Sequence, residues 1–233
     1  MLYSVKKLGK YILNGRLISY CLSILICRIK SKWYTFRYCK GCGRIIFKSS
    51  FVKLRVSNCG TIKLNGNLII DSHLDTPGYI SISIRRNGFL CVENDFVIGQ
   101  NIKIFVNDNA KLLIKGRHIE STSGITCDSS IMCYKSITIG SDFLCSWNVY
   151  ITDCDWHQII KNGIYEKVND NVVIGNHVWI ASNVIISKGA FIGNDVIIGA
   201  YTKIGNKMVS DRSTIVGLEP KVISNSYIWK RDF

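Results

Sequence analysis

Residues 172–207 consist of six consecutive hexapeptides: VVIGNH, VWIASN, VIISKG, AFIGND, VIIGAY and TKIGNK. An isoleucine holds the third place of each, from Ile174 to Ile204, and a small or β-branched residue holds the first place. A period of six fits no helix, because helical faces repeat every 3.6 residues. The pattern predicts very short strands joined by tight corners, where Gly, Asn and Asp provide unusual backbone conformations. It is typical of a parallel β-helix, in which about three hexapeptides make one triangular coil.

The same rhythm extends upstream of this stretch. It is regular over residues 125–151 and looser over residues 45–107. The six-residue spacing is broken over residues 108–118, where Leu112 and Ile114 do not fall at the expected apolar positions. We attribute the break to a corner insertion or a bulge.

We therefore predict an all-β protein with a short helical segment at its N-terminal end. The predicted divisions are a basic, apolar segment over residues 1–40, a β-helix over residues 45–223 and a C-terminal tail over residues 224–233. A chain of 233 residues is long enough for one elongated repeat domain.

The regular beats are interrupted over residues 153–171, which read DCDWHQIIKNGIYEKVNDN. We interpret this segment as a loop ejected from the coils, and a loop held on a rigid frame is where function is expected. His157 lies in it, close to Asp153 and Asp155, which makes it a candidate general base. Local composition alone is equally consistent with a surface histidine that has no role. We expect His177, which follows a corner asparagine, to face outward without a role.

The N-terminal 40 residues differ from the rest in composition. Lys and Arg residues flank the apolar run LISYCLSILICRI (residues 17–29). This run is too short to cross a bilayer, which needs about 20 apolar residues. Two interpretations remain open: a helix that lies in the membrane interface, or a helix that caps the open end of the coils.

The net charge of +14 and the pI near 9.4 indicate an anionic partner. Anionic lipid, glycan, nucleic acid and a phosphorylated cofactor all qualify, as does a merely solvated basic surface. We find no nucleic-acid-binding motif and expect no nucleic-acid partner. The ten cysteines fit reduced core residues of a cytosolic protein, and Cys39 and Cys42 lack the further ligands that a zinc site needs. We expect no bound metal.

Two stretches carry a resemblance to a known family. Residues 172–209, followed by TIVGLEPKVI (residues 214–223), resemble the acetyl-coenzyme A binding half of the hexapeptide-repeat acyltransferases. The segment ITIGSDFLCSWNVYITDCDWHQI (residues 137–159) resembles the acceptor-site segment of their sugar O-acetyltransferase branch. The resemblance is specific over residues 125–223. It implies a left-handed parallel β-helix and a homotrimer with active sites between subunits.

The resemblance also implies site residues. His157 would be the catalytic base, and Asn148 would lie on the acceptor side. Independently of the resemblance, a nearby carboxylate could orient the imidazole; Asp155 is our candidate, and Asp153 remains open. The acetyl-coenzyme A side would comprise Trp179, Ser182, Ala200, Gly205, Asn206, Lys207, Leu218 and Lys221. This sequence departs from the family at Glu219, where a proline is usual, at Gly205 and Asn206, where Thr-Lys is common, and at Trp156, where many relatives have a histidine.

The function implied by the resemblance is transfer of acetyl from acetyl-coenzyme A to a sugar hydroxyl. The acceptor would be a bacterial surface polysaccharide (capsule, O-antigen or exopolysaccharide) or its precursor. The protein would be cytoplasmic, either free or at the inner face of the membrane. The alternatives are N-acetylation of an amino sugar, acetylation of a small metabolite and a non-catalytic β-helix scaffold.

Overall fold

The computed structural model describes residues 17–72 and 76–230. The four cations that precede the predicted apolar run lie outside these ranges: Lys6, Lys7, Lys10 and Arg16. Within the described residues the chain forms one helix, α1 (Leu17–Tyr38), followed by strands.

The strands are short, most of them two to four residues long. In chain order they are β1 (Cys39–Lys40), β2 (Ile45–Phe47), β3 (Val52–Asn58), β4 (Thr61–Leu64), β5 (Leu68–Ile70), β6 (Gly78–Ile84), β7 (Phe89–Val92), β8 (Phe96–Ile98), β9 (Lys103–Val106), β10 (Lys111–Gly116), β11 (Gly124–Cys127), β12 (Ser130–Cys133), β13 (Ser136–Ser141), β14 (Leu144–Trp147), β15 (Tyr150–Thr152), β16 (Ile160–Lys161), β17 (Ile164–Tyr165), β18 (Val172–Ile174), β19 (Trp179–Ile180), β20 (Ile185–Ile186), β21 (Phe191–Ile192), β22 (Ile197–Ile198), β23 (Lys203–Ile204), β24 (Met208–Val209), β25 (Thr214–Val216) and β26 (Lys221–Ser224).

Three sheets form the sides of a triangular prism. Face A has the order β1-β4-β7-β10-β13-β18-β21-β24, and face B has the order β2-β5-β8-β11-β14-β19-β22-β25-β26. Face C has the order β3-β6-β9-β12-β15-β20-β23. Consecutive strands belong to different faces, except for the hairpin β16–β17, which belongs to none of the three, and the pair β25–β26 on face B. The stacked strands run parallel except for that last pair on face B. This is the parallel β-helix that the hexapeptides predict.

The isoleucines of the repeat stack in register inside the prism. Ile174 pairs with Ile192 on face A, and Ile180 pairs with Ile198 on face B. All six isoleucines of the repeat are almost fully buried. Each buried side chain of this size stabilises the fold by about 1.5–3 kcal/mol, and their β-branched shape suits extended backbone.

Asparagine and aspartate account for most of the described non-glycine residues whose backbone has a positive φ. Asn148 (φ 56°) and Asn183 (φ 59°) lie at the corner between faces B and C, one coil apart. The Asn148 Nδ2 donates to the Asn183 Oδ1 over 2.7 Å. These short polar side chains tolerate the left-handed conformation and hydrogen-bond locally, which explains their place in the repeat.

The break in the six-residue spacing over residues 108–118 comes from an insertion at one corner. Leu112 and Ile114 are buried and in register with Leu90 and Val92 of the coil below. The extra residues therefore come later than expected, after Gly116, at the corner between faces A and B. Asp142 holds that corner, because its carboxylate accepts hydrogen bonds from three successive backbone N–H groups, those of residues 118, 119 and 120.

Each end of face B is covered by a different element. Helix α1 packs across β2, with Cys27 buried and the ring of Tyr34 5.3 Å from that of Phe47. The Ser31 Oγ accepts a hydrogen bond from the Phe47 N–H over 2.9 Å, and the Tyr34 hydroxyl donates to the carbonyl of Leu54. At the other end β26 turns back antiparallel to β25. None of the described helical residues form a segment with the length and hydrophobicity needed to span a bilayer.

Candidate functional site

The ejected loop leaves face C after β15 and returns to face A at β18. Its first residue, Asp153, is completely buried. The Asp153 carboxylate accepts hydrogen bonds from the N–H groups of Tyr134, Lys135 and Ser136 over 2.6, 2.8 and 2.6 Å. These bonds join the start of the loop to the corner one coil below. Within the loop β16 and β17 form a small antiparallel hairpin.

Lys188 connects the loop to the coil above it. Its Nζ lies 2.5 Å from the Asp155 carboxylate and also donates to the carbonyl of Lys167. The loop is closed further by the Asp170 N–H, which donates to the Asp153 carbonyl over 2.9 Å. One lysine therefore ties the outgoing and returning strands of the loop together.

Trp156 turns the loop back over the outer surface of face C. Its backbone has φ 67°, and its Nε1 donates to the Tyr150 hydroxyl over 3.2 Å. Its ring lies 5.7 Å from that of Phe105 and 5.9 Å from that of Tyr134. The neighbouring residue, His157, is exposed to solvent. The loop thus presents the candidate base above a rigid aromatic surface.

The two aspartates near His157 bind other groups in this chain. Asp155, predicted to orient the imidazole, pairs with Lys188, and Asp153 is occupied by three backbone donors. The orienting role of Asp155 therefore remains a prediction. It requires that the Asp155 carboxylate leave Lys188 for His157 or contact both residues.

Asn148, Ser182 and Ala200 lie at one edge of face C, at its corner with face B. All three follow strands of face B, namely β14, β19 and β22. The Asn148 side chain binds Asn183, whereas Ala200 is exposed. Within the described residues, neither the Ser182 hydroxyl nor the Ala200 N–H has a hydrogen-bond partner. Both groups remain able to bind a ligand.

Gly205, Asn206 and Lys207 lie at the opposite edge of face C, at its corner with face A. The Lys207 Nζ donates to the Pro220 carbonyl over 2.8 Å, which places it against the closing turn. Lys221 follows directly and is exposed, as is Leu218. The structure therefore brings Lys207 and the residues of the closing turn together. The closing turn follows β25 of face B and lies one coil above Ala200, where the Gly217 N–H donates to the Thr202 Oγ1 over 3.1 Å. Gly205 and Asn206 lie away from Asn148, Ser182 and Ala200, at the other edge of face C.

Trp179 lies on the outside of face B and is half-buried, with its Nε1 3.4 Å from the Ser146 Oγ. A residue of the C-terminal tail lies beside it: the rings of Trp179 and Trp229 are 6.5 Å apart. Trp229 itself is buried. The last described residues are thus packed on the coils near a residue that we assign to the donor side.

His177, which we expected to face outward without a role, is part of a cluster that joins the coils to the C-terminal tail. Its ring is largely covered and stacks on that of Trp229 at 4.2 Å, and its carbonyl accepts the Trp229 Nε1–H over 3.0 Å. Its Nδ1 lies 2.9 Å from Asp195, and its Nε2 lies 3.5 Å from Glu120. The partners come from distant parts of the chain, so the local sequence held no signal for this cluster.

Cys154 is the thiol nearest to His157 in sequence. It is buried, and burial raises its pKa above the ordinary value for a cysteine. Because the thiolate is the nucleophilic form, this shift makes Cys154 a poor nucleophile.

Comparison with known proteins supports the fold. No protein-family model matches the sequence. An uncharacterized 24.8 kDa protein in the cps region of Klebsiella pneumoniae is 22% identical over 144 residues, which is 59% of this chain and 62% of the relative. The chain thus spans about three-fifths of that relative's length.

The crystal structure of the polySia specific acetyltransferase NeuO has a TM-score of 0.58 and 21% identity, over 84% of this chain and 88% of that chain. The polysialic acid O-acetyltransferase OatWY gives a TM-score of 0.49 and 21% identity, over 84% and 92% of the two chains. The likeness to NeuO shows that the chain has the same fold, a left-handed parallel β-helix.

Proposed function

We propose that the protein is an acetyl-coenzyme A dependent O-acetyltransferase that modifies a bacterial surface polysaccharide or its precursor. The observation that carries this proposal is the loop geometry. His157 is exposed on a segment fixed to the coils at Asp153 and Lys188, and that segment is folded over face C by Trp156. A base on a rigid support at an open surface is suited to removing a proton from a large, external acceptor.

The similar proteins favour this acceptor class. NeuO acts on polySia by its description, and the Klebsiella pneumoniae relative is encoded in a cps region. We therefore infer a polysaccharide hydroxyl as the acceptor. The unpaired state of the ten cysteines accords with a reducing, cytoplasmic location.

The reaction requires only groups that this chain provides and an acyl donor. Bound acetyl-coenzyme A would supply an acetyl thioester. The His157 imidazole accepts the proton of the sugar hydroxyl as the new C–O bond forms, and it returns that proton to the departing sulfur as the C–S bond breaks. We assign the Ser182 hydroxyl, which has no partner among the described residues, as the donor to the developing oxyanion.

The residues on the donor side fit a long, anionic thioester. Ala200 offers a backbone N–H without a partner among the described residues, which suits the amides of a pantetheine arm. Lys207 and Lys221 lie together beside the closing turn and can pair with phosphates as point charges.

We also propose that the working unit is a homotrimer. Within one chain, the group at the corner of faces B and C (Asn148, Ser182 and Ala200) and the group at the corner of faces C and A (Gly205, Asn206 and Lys207) lie at opposite edges of a sheet. A donor that contacts both groups within one chain would have to extend across β23, whereas a neighbouring prism can bring one group of each chain together. A site between two chains therefore uses both sets of residues.

The test is acetyl transfer from radiolabelled acetyl-coenzyme A to purified surface polysaccharide of the source bacterium. His157→Ala is expected to lower kcat by about a hundredfold or more, while light scattering still reports a trimer. The matched control is His118→Ala, since His118 is also exposed but lies at another corner. Base lability of the product identifies an ester rather than an amide. Wild-type turnover by the His157→Ala variant would contradict the proposal.

A further inference from the structure

The outer face of α1 carries an apolar stripe that the fold does not cover. The members are spaced by three or four residues, lie on one side of the helix and are each more than half exposed: Ile18, Leu22, Leu25, Ile29, Trp33 and Phe36. Ile18 and Phe36 at its two ends are 84% and 92% exposed. At 1.5 Å per residue the stripe is about 27 Å long.

The opposite side of the same helix is fully engaged. Cys27, Ser31 and Tyr34 face the first coil, and the Lys30 Nζ donates to the carbonyls of Ser50 and Val52 over 3.0 and 3.3 Å. The helix is therefore fixed to the coils along one side. The stripe needs no rearrangement of α1 to become available.

Cations line both sides of the stripe. Arg28 and Lys32 project on one side and Arg37 on the other, and all three are exposed. Lys40 and Arg44 follow in the first coil and are exposed as well. An apolar stripe between cationic borders is the arrangement of a helix that lies in a lipid headgroup layer.

The net charge of the chain is concentrated in its first 70 residues. They contain 14 of the 30 Lys and Arg residues and none of the 16 Asp and Glu residues. The rest of the chain therefore carries 16 of each and has no net charge. Ten of the 14 cations, from Arg28 to Lys63, lie in α1 and the first coils. Such a charge is complementary to anionic lipid, whereas a second copy of the same segment would be repelled.

We propose that the stripe and its flanking cations form a docking surface for an anionic lipid bilayer. The helix lies flat in the headgroup layer, and the coils project from it with β2 nearest the lipid. The protein is then a peripheral membrane protein, and the site on the upper coils works at a fixed height above the surface. This inference does not depend on the proposed acetyl transfer.

The experiment measures binding of the full chain to vesicles by co-sedimentation. The vesicles contain phosphatidylethanolamine and phosphatidylglycerol in one series and phosphatidylcholine alone in the other. The wild-type protein is expected to partition at least tenfold more strongly onto the anionic vesicles, and high salt should reduce this preference.

Two variants with matched exposure separate the stripe from general surface hydrophobicity. The double substitution Ile18→Gln and Phe36→Gln should reduce partitioning at least tenfold. The control, Ile119→Gln with Ile228→Gln, changes two residues that are 82% and 81% exposed elsewhere and should bind as wild type. Circular dichroism and thermal melting verify that both variants are folded.

Three outcomes would overturn the proposal. They are equal binding to both vesicle types, unchanged binding by the Ile18 and Phe36 variant, and the absence of vesicle binding together with self-association that this variant abolishes. The last result would assign the stripe to a contact between copies of the chain.

Discussion

Lys188, at a corner one coil above the ejected loop, holds the Asp155 carboxylate at 2.5 Å and also binds the Lys167 carbonyl. The two contacts lie on opposite strands of the loop. A single side chain thereby limits how far the segment that carries His157 can move. Because Lys188 belongs to the regular coils, the loop derives its position from the rigid part of the molecule.

Replacing Lys188 with Met should loosen the loop without unfolding the coils. We expect hydrogen exchange over residues 156–168 to increase and acetyl transfer to fall by about tenfold, since misplacement of a catalytic group is costly. The melting temperature should change little. Lys63→Met, at an exposed position of face A, is the control. Unaltered exchange in the loop would show that the lysine has no clamping role.

Asp153 should be a determinant of stability. Asp153→Asn keeps the size of the side chain but removes its charge and places a donor amide among three backbone N–H groups. Such changes at buried, charge-assisted bonds cost about 2–4 kcal/mol. Chemical denaturation of the variant measures this loss. Asp108→Asn, at an exposed corner, should alter the free energy of unfolding by less than about 0.5 kcal/mol.

Asn148 permits a direct test of whether it contacts substrate or only supports a corner. Asn148→Gly retains a residue that tolerates φ 56° but removes the amide that binds Asn183. Asn183→Gly removes the same hydrogen bond from the other partner, at φ 59°. A role in acceptor binding predicts that only Asn148→Gly raises the KM for polysaccharide, by about tenfold. Equal kinetic effects of the two variants would indicate a purely structural asparagine.

The cysteines should differ sharply in reactivity. Burial raises the pKa of Cys39 to about 11, so little of this thiol is thiolate at pH 8. The exposed cysteines, Cys21, Cys42 and Cys59, should therefore be alkylated first by iodoacetamide. Because the folded-state pKa is raised, modification of Cys39 should increase as the pH approaches 11. Peptide mapping by mass spectrometry at pH 8 and pH 10 measures the order of labelling.

The repeating parts of the fold could be predicted from the sequence, because each hexapeptide shows the same pattern of one buried apolar strand followed by a polar or glycine corner. Ile180 is buried, and Asn183 has a positive φ, for the same reasons that apply at every coil. The loop could also be located, since it is the place where the rhythm stops. Its contacts could not be predicted, because the partners of Trp156 and Asp155 are set by the stacking of separate coils.

The cluster of His177 and Trp229 illustrates the same limit. The two residues are 52 positions apart and meet only because the tail folds back along the prism. The exposed apolar stripe of α1 could not be predicted from the sequence for a different reason. Both sides of the helix contain apolar residues, so the sequence shows a uniformly apolar run, and only the packing on β2 reveals which side remains uncovered.

The covering of face B at both ends bears on how these molecules behave at high concentration. A stack of parallel strands ends in unsatisfied backbone groups, and such edges recruit further strands. Helix α1 lies over the first strand of this face, and β26 runs antiparallel against the last. Neither edge presents a parallel template to a second molecule. The prism should thus resist end-to-end polymerisation into fibres along this face, even though its interior repeats without a natural stop.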